Sequence, residues 1–493
     1  MIANQSFWID EGYSLYFSEG PNFHDTVSRL LETRLSDRYR ILYYLIMFGW
    51  REIFGASEFA IRSFSAISGI LGAIFVFFTA QYWFGKRHAL WSFLLISVSA
   101  YCVYYSQEAR DYSLAILLVS CQLFVISRAF SNHRIKFPIL FRAAFAILSA
   151  VSIFLNILML CFSGALSISH LLVTRRLKLW FFWWAPAAIL SFSPLLFYLD
   201  SPTATSPTEI GVSRTYFPLI YNAIYVLYGL FAGTTFGPPQ LQLRGDDNLS
   251  VIVNYWPQLL WLLITLTTIA IILLTVKLAR WQSNKRYYSV ELFLISSLFL
   301  SLIFGLFLAF VTKYNWVPRH ACYTWPILAI LLPVLLENRP SQESFKDSQL
   351  VNRLSHISLT FLIGINLFSL HNYYFNGAFY KDDFRSAAQY VIQNRDSETR
   401  SVLIGGAGDT YLLGYYGDPE TLDGKYITNN LRTGDFADKI RELTDNSEKV
   451  LLVSNREYSI AQDDEVMQAM EILYDFEEDF YFNYFRIYHF EMK

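Results

Sequence analysis

Two acids stand side by side near the start of the chain, Asp10 and Glu11, inside FWIDEGYSL (residues 7–15) and flanked by Phe7, Trp8, Tyr13 and Tyr16. Adjacent carboxylates in so apolar a setting are costly unless they bind a cation, pair with a base, or act as acid or base. The plainer alternative is an exposed helix N-terminus, where acids suit the helix dipole. A second polar cluster, YYSQEARDYSL (residues 104–114), crowds Gln107, Glu108, Arg110 and Asp111 together. Its own plain reading is a solvated loop with a helix N-cap. If both clusters lie on one side of a membrane, they form a single acid–base site.

Composition supports a membrane setting. The 493 residues are 54% hydrophobic and 18% aromatic, with only 16% charged, the balance of a polytopic membrane protein. A net charge of −2 offers no basic surface to nucleic acid. Cys102, Cys121, Cys161 and Cys322 all lie in or beside apolar segments, which indicates neither a disulfide framework nor a zinc site. The first residues are polar and aromatic, without the basic and apolar regions of a cleavable signal peptide.

Apolar runs predict about ten spans, at 59–84, 89–105, 112–129, 137–155, 157–173, 179–199, 256–278, 290–311, 321–336 and 354–370. The run 137–173 is too long for one crossing and is broken near Asn156 as a tight hairpin. Residues 1–58 contain no spanning segment. Within them, 25–35 (Val27, Leu30, Leu31 and Leu35 at helical spacing) and 41–50 read as interfacial helices. The apolar middle of the loop 200–255, residues 217–232, reads as a re-entrant or interfacial helix.

Alternate loops carry Lys86 and Arg87, Arg134 and Lys136, Arg175, Arg176 and Lys178, Lys277 to Arg286, and Arg339 to Arg353. By the positive-inside rule these loops are cytoplasmic. Residues 1–58, 106–111, 200–255, 312–320 and the chain after 369 then face outward. The two acidic clusters thereby share the outer face, although the spans were drawn from apolar runs alone.

After Asn372 the composition becomes that of a soluble domain. Helices are expected at 382–394, 435–444 and 464–474, and strands at 401–404, 450–453 and 484–490, an α/β domain of ordinary size. Gly405, Gly406 and Gly408 lack the spacing of a dinucleotide-binding loop.

FWIDEGYSL, LYYLIMFGWREIFGASEFAIRSFSAISG, YYSQEARDYSL, WVPRHACYTWP (residues 316–326) and FYKDDFRSAAQYVIQN together resemble the family 39 type of polytopic glycosyltransferases. These are GT-C fold enzymes related to protein mannosyltransferases and to the aminoarabinose transferases of lipid A. The resemblance implies a membrane GT-C glycosyltransferase domain over 1–371 (with 1–58 as an outer loop bearing interfacial helices) and an extracytoplasmic soluble α/β domain over 372–493. It implies a hexosyl- or pentosyltransferase that moves a sugar from a polyprenyl-phosphate carrier to a lipid, glycan or protein acceptor at the outer face of the plasma membrane. The family usually has a span before the acidic pair; too few residues precede Asp10 for one, so that first span is expected to be absent here. The family's Pro-Pro pair before Leu-Tyr-Tyr is replaced by Arg40 and Ile41, and His320 stands where a tyrosine is common.

In that family setting the catalytic acids are Asp10, as base or metal-site carboxylate, with Glu11 beside it and Glu108 as the second-loop acid. Arg38, Arg40, Arg110, Asp111, Arg319 and His320 are the expected substrate-binding residues, with the arginines positioned for a lipid phosphate. Each arginine taken alone also fits headgroup anchoring. The sequence requires no cofactor, although a divalent metal between Asp10 and Glu108 is compatible with it. The rival class is a membrane transporter or lipid flippase, for which charged residues would mark a pathway at mid-span.

Overall fold

The structure is a computed structural model and describes residues 4–33, 36–130, 138–199, 219–239, 248–280, 285–312, 316–336, 345–395, 398–404, 407–417, 426–427, 441–444, 447–455 and 460–493. The N-terminal segment folds as α1 (Ile9–Ser18), α2 (Phe23–Glu32), a 3-10 turn (Ser36–Arg40) and α3 (Ile41–Phe54). Asn22 caps α2 by accepting the Asp25 N–H, and α3 stops at Gly55, whose φ of 84° a side chain would strain. Helices are therefore present at the expected 25–35 and 41–50, with shifted ends. The helix around Asp10 and Glu11 had been weighed only as the plain alternative.

The next helices are α4 (Glu58–Phe84), α5 (Lys86–Val98), α6 (Ala100–Ser106), α7 (Tyr112–Ile126), α8 (Pro138–Leu155), α9 (Met159–Thr174), α10 (Leu177–Leu199) and α11 (Leu219–Ala232). Asn248–Asn254, Trp256–Arg280, Lys285–Thr312, Trp325–Leu336 and Phe345–Phe375 complete the helical part. By length and composition, six helices among the described residues can cross a membrane, or seven if α5 and α6 count as one bent span. The expectation of about ten is thus not met by that measure. α9, α11 and Trp256–Ile271 are shorter apolar helices, and α11 provides a helix within the stretch 217–232, where one was expected.

Two predicted spans change character. The one at 89–105 is bent by 59°. At the bend Ser99 accepts the Cys102 N–H, and the Ala100 N–H is taken by Asn366 Oδ1 at 2.8 Å, so the break carries its own caps. The one at 321–336 begins as a 3-10 turn (Pro318–Thr324) and is α-helical only from Trp325. Helix Trp325–Leu336 is apolar all round and buried along Ile327–Leu332, which marks it as the interior element of the bundle. The break near Asn156 holds, with α8 ending at Leu155 and α9 starting at Met159.

The C-terminal domain is a five-stranded sheet of order β2-β1-β3-β5-β4, with β1 (Thr399–Ile404), β2 (Tyr426–Ile427), β3 (Lys449–Asn455), β4 (Tyr474–Phe482) and β5 (Phe485–Met492). β1 runs parallel to β2 and β3, while β5 pairs antiparallel with both β3 and β4. Side-chain alternation divides its two faces. Val402, Ile404, Val450, Leu452 and Phe490 pack under helix Ile460–Leu473. Leu403, Leu451, Val453, Phe485 and Ile487 join Leu412, Leu413 and Val391 from helices Ala407–Tyr416 and Phe384–Asn394. This second core is continuous with Phe7, Ile9 and the membrane helices, so the domain is docked on α1. Helices at 384–394 and 460–473 and strands β1, β3 and β5 match the expectations for this region. Helix 407–416 and strand β4 were not anticipated, and most of the expected helix at 435–444 lies outside the described residues.

Candidate active site

α1 turns Asp10 and Glu11 in different directions. Glu11 is fully buried, and Arg62 from inside α4 meets it with Nη2 at 2.6 Å and Nε at 2.8 Å. Its carboxylate also accepts the N–H groups of Ala109 (2.8 Å) and Trp8 (3.3 Å), the second being the reach of a third-position acid back to a helix start. Burial alone would raise its pKa. The charges of Arg62 and Lys381 and the Ala109 N–H outweigh that and hold it at about 2. Glu11 therefore joins the start of the chain to α4 and to the Glu108 loop as a permanent anion.

A second buried network lies behind it. Asp37 receives Arg110 Nη2 (2.9 Å), Arg40 Nη1 (3.2 Å) and the Tyr44 hydroxyl. Asp111 pairs with Arg40 Nε (3.3 Å) and accepts Asn156 Nδ2 (2.7 Å). Arg110 also donates to the Asp10 carbonyl (2.8 Å). Burial pushes the Asp37 carboxyl up, and Arg110 and Arg40 bring it below its ordinary value. Such a network is held by mutual pairing, because removal of one member strands a buried charge.

The face toward the cavity is different. A cavity of about 180 Å³ is lined by Trp8, Asp10, Tyr104, Tyr105, Glu108, Tyr225, Arg319, Lys381 and Tyr484, among others. Asp10 pairs with Arg319 Nη1 at 2.7 Å, and both side chains remain about one-fifth exposed, 20% and 23%. Glu108 is fully buried, yet neither of its oxygens finds a hydrogen-bond partner among the described residues. Burial pushes its carboxyl up to about 7; Lys381 opposes the shift, and Glu11 and Asp10 add to it. A carboxyl poised there can give or take a proton near neutral pH.

Among the expected catalytic acids, Asp10 and Glu108 meet at the cavity, and Glu11 stands in the wall. Among the expected substrate-binding residues, only Arg319 lines the cavity. Arg40, Arg110 and Asp111 pair within the buried network. Arg38 is buried, with its guanidinium 5.9 Å from the Tyr39 ring centre, and His320 accepts the Val317 N–H at 3.2 Å within the 3-10 turn. No group of three or more His, Cys, Asp or Glu among the described residues is disposed to hold a metal ion. Of the two acids expected as metal ligands, Asp10 pairs with Arg319 at 2.7 Å and Glu108 stands 3.9 Å from the Lys381 ammonium.

Sequence reasoning missed Arg62 and Lys381. Arg62 could have been found as a charge within an apolar span, a position that demands a partner. Lys381 lies 370 residues beyond Glu11 in the chain, and only the docking of the C-terminal domain brings it in.

A profile of the dolichyl-phosphate-mannose-protein mannosyltransferases matches residues 41–198. No curated protein matches the chain by sequence. Among solved structures, ArnT from Cupriavidus metallidurans bound to undecaprenyl phosphate superposes with a TM-score of 0.55 at 14% identity, over 99% of this chain and 95% of ArnT. The apo form of the same protein gives 0.56 at 14%, over 98% and 94%. An oligosaccharyltransferase from Archaeoglobus fulgidus aligns at 11% identity over 96% of this chain and 68% of its own, with a TM-score of 0.49. The chain therefore shares the polytopic fold of ArnT, and its residues 41–198 match the mannosyltransferase profile.

Proposed function

We propose that the chain transfers a sugar from a polyprenyl-phosphate carrier to an acceptor at the extracytoplasmic face, with Asp10 as general base. The observation that carries this reading is the Asp10–Arg319 pair at 2.7 Å, partly exposed in a cavity that also holds the buried Glu108. In the cavity the Asp10 carboxylate is engaged by the Arg319 guanidinium. An incoming phosphate competes for Arg319 and frees Asp10 to accept the acceptor proton. The acceptor oxygen then attacks the anomeric carbon. The bond from that carbon to the phosphate oxygen breaks, and its electron pair stays on the phosphate, where Arg319 stabilises it.

The aromatic wall of Trp8, Tyr104, Tyr105 and Tyr225 suits a sugar ring and a prenyl chain. A polyprenyl-phosphate carrier is supported by the family matched at 41–198 and by the likeness to a protein solved with undecaprenyl phosphate. The outward placement of the site rests on the alternation of basic loops. The test is transfer of radiolabelled sugar from defined polyprenyl-phosphate donors in proteoliposomes, with lipid, glycan and protein acceptor fractions supplied separately. Carrier-dependent transfer supports the proposal; sugar or lipid translocation without transfer would point to a transporter.

A further inference from the structure

Lys381 begins the C-terminal domain, and its backbone is fastened to the residues just ahead of Asp10. Its N–H donates to Gln5 Oε1 (3.1 Å), and the Asp382 carbonyl accepts the Ser6 hydroxyl (2.6 Å). The Asp383 N–H donates to the Asn483 carbonyl (2.9 Å) in the β4–β5 turn, whose next residue, Tyr484, holds a positive φ of 69°. That left-handed conformation is strained for a non-glycine residue, and Tyr484 lines the cavity.

The side chain is as closely placed as the backbone. Its ammonium lies 5.4 Å from the centre of the Trp8 ring and 5.1 Å from that of Tyr104, within cation–π range. It is 3.6 Å from Glu11 Oε2 and 3.9 Å from Glu108 Oε2, beyond hydrogen-bonding distance of either. No described residue accepts a hydrogen bond from it, although the side chain is only 5% exposed. Glu11 is already engaged by Arg62, Ala109 and Trp8. A buried ammonium with three donors unused is unfavourable until an acceptor arrives, and the side chain faces the cavity.

We infer that Lys381 is a substrate-holding residue of this cavity, its ammonium receiving an oxygen of a phosphate ester, so that the site is complete only with the C-terminal domain docked on α1. The inference rests on the proposed transferase reading and extends it. Arg319 from the membrane half and Lys381 from the C-terminal half close on one phosphate from two sides. Helices Ala407–Tyr416 and Phe384–Asn394 fix the docking: Tyr416 accepts the Phe7 N–H (2.6 Å), Tyr411 donates to Glu19 (2.6 Å), and Arg385 and Tyr416 both engage Glu58.

The test uses the full-length protein in detergent and measures binding of undecaprenyl phosphate and of undecaprenol, its phosphate-free alcohol. Lys381→Ala and Lys381→Met should weaken binding of the phosphate roughly 10- to 100-fold, the effect of losing a charge-assisted contact. Binding of the alcohol should be unchanged, and Lys381→Arg should restore most of the phosphate affinity. Lys381→Met keeps the apolar stem over Trp8 and Tyr104, so its thermal unfolding should match wild type and separate folding from ligand holding. Unchanged phosphate affinity in both neutral variants, or an equal loss for the alcohol, would overturn the inference while leaving the transferase reading intact. If the wild-type protein binds the phosphate no tighter than the alcohol, the carrier reading itself falls and takes the inference with it.

Discussion

Asp10 and Glu11 are consecutive residues with opposite surroundings. Glu11 looks into the protein, where a guanidinium and two backbone N–H groups occupy its oxygens. Asp10 looks into the cavity, where a single partly exposed arginine holds it. The same contrast divides the larger regions they belong to. In the wall, Asp37, Arg40, Arg110 and Asp111 each hold at least one opposite charge within 3.3 Å, although Arg110 Nε and Asp111 Oδ1 make no hydrogen bond among the described residues. Along the cavity, Glu108 and Lys381 are buried without hydrogen-bond partners for their charged ends among the described residues. A paired charge is a fastening, whereas a buried charge still short of partners is ready for a ligand.

The contrast breaks most visibly at Glu11. Glu11→Gln leaves Arg62 charged and buried without its counterion and should cost roughly 3–5 kcal/mol of stability, read as a lowered midpoint of thermal unfolding in detergent. Its pH dependence follows from the same pairing. With a pKa held at about 2 against an ordinary 4.5, the Glu11 carboxylate contributes stability that is complete above the ordinary value. That contribution drains away as pH falls toward 2. The Gln variant should lack this acid-labile part. Wild-type stability in Glu11→Gln would erase the distinction between wall and cavity.

Glu108 sharpens the other side. With its carboxyl pushed up to about 7, it is neutral below that pH and anionic above it. The neutral form donates a hydrogen bond to phosphate, and the ionised form repels it. Affinity for a phosphodiester carrier, which does not titrate in this range, should fall about tenfold between roughly pH 6 and pH 8. Glu108→Gln should flatten that profile near its low-pH level. A profile identical in both proteins would remove Glu108 from the site.

The smallest effect concerns the seam between the halves. A Cβ on Gly12 would stand 2.7 Å from Leu412 Cγ on the docked domain. Gly12→Ala should therefore cost about 1–2 kcal/mol of overpacking. It should also raise the protease sensitivity of the C-terminal domain, measured by limited proteolysis. Unaltered sensitivity would mean that the seam absorbs the methyl group.

Much of this arrangement was legible in the sequence, for identifiable reasons. Apolar runs marked the long helices, and the alternation of basic loops put the Asp10 and Glu108 clusters on one face before any contact was known. The structure then joins the two clusters through the Ala109 N–H on Glu11 and the Ser14 hydroxyl on the Ala109 carbonyl (2.7 Å). Which of two adjacent acids faces the cavity was not legible. Neighbouring residues on a helix point about 100° apart, and the rotation of α1 is set by packing against Leu412 and Arg62 from distant segments. The 3-10 start of 318–324 and the bend at Ser99 were hidden for a similar reason. Hydropathy reports apolar length, and the polar groups that cap a broken span come from elsewhere in the chain, as Asn366 does for Ala100. Lys381 lay in a segment read as soluble domain, and long-range docking alone gives it a place in the site.

The most direct measurement compares sugar transfer and thermal stability in Asp10→Asn. The substitution keeps the shape of the side chain and removes its charge and basicity. Turnover should fall by roughly a hundredfold or more, the usual cost of losing a general base, while the unfolding midpoint stays close to wild type because the residue is partly exposed and joined to one arginine. Transfer by Asp10→Asn at the wild-type rate would contradict the account at its centre.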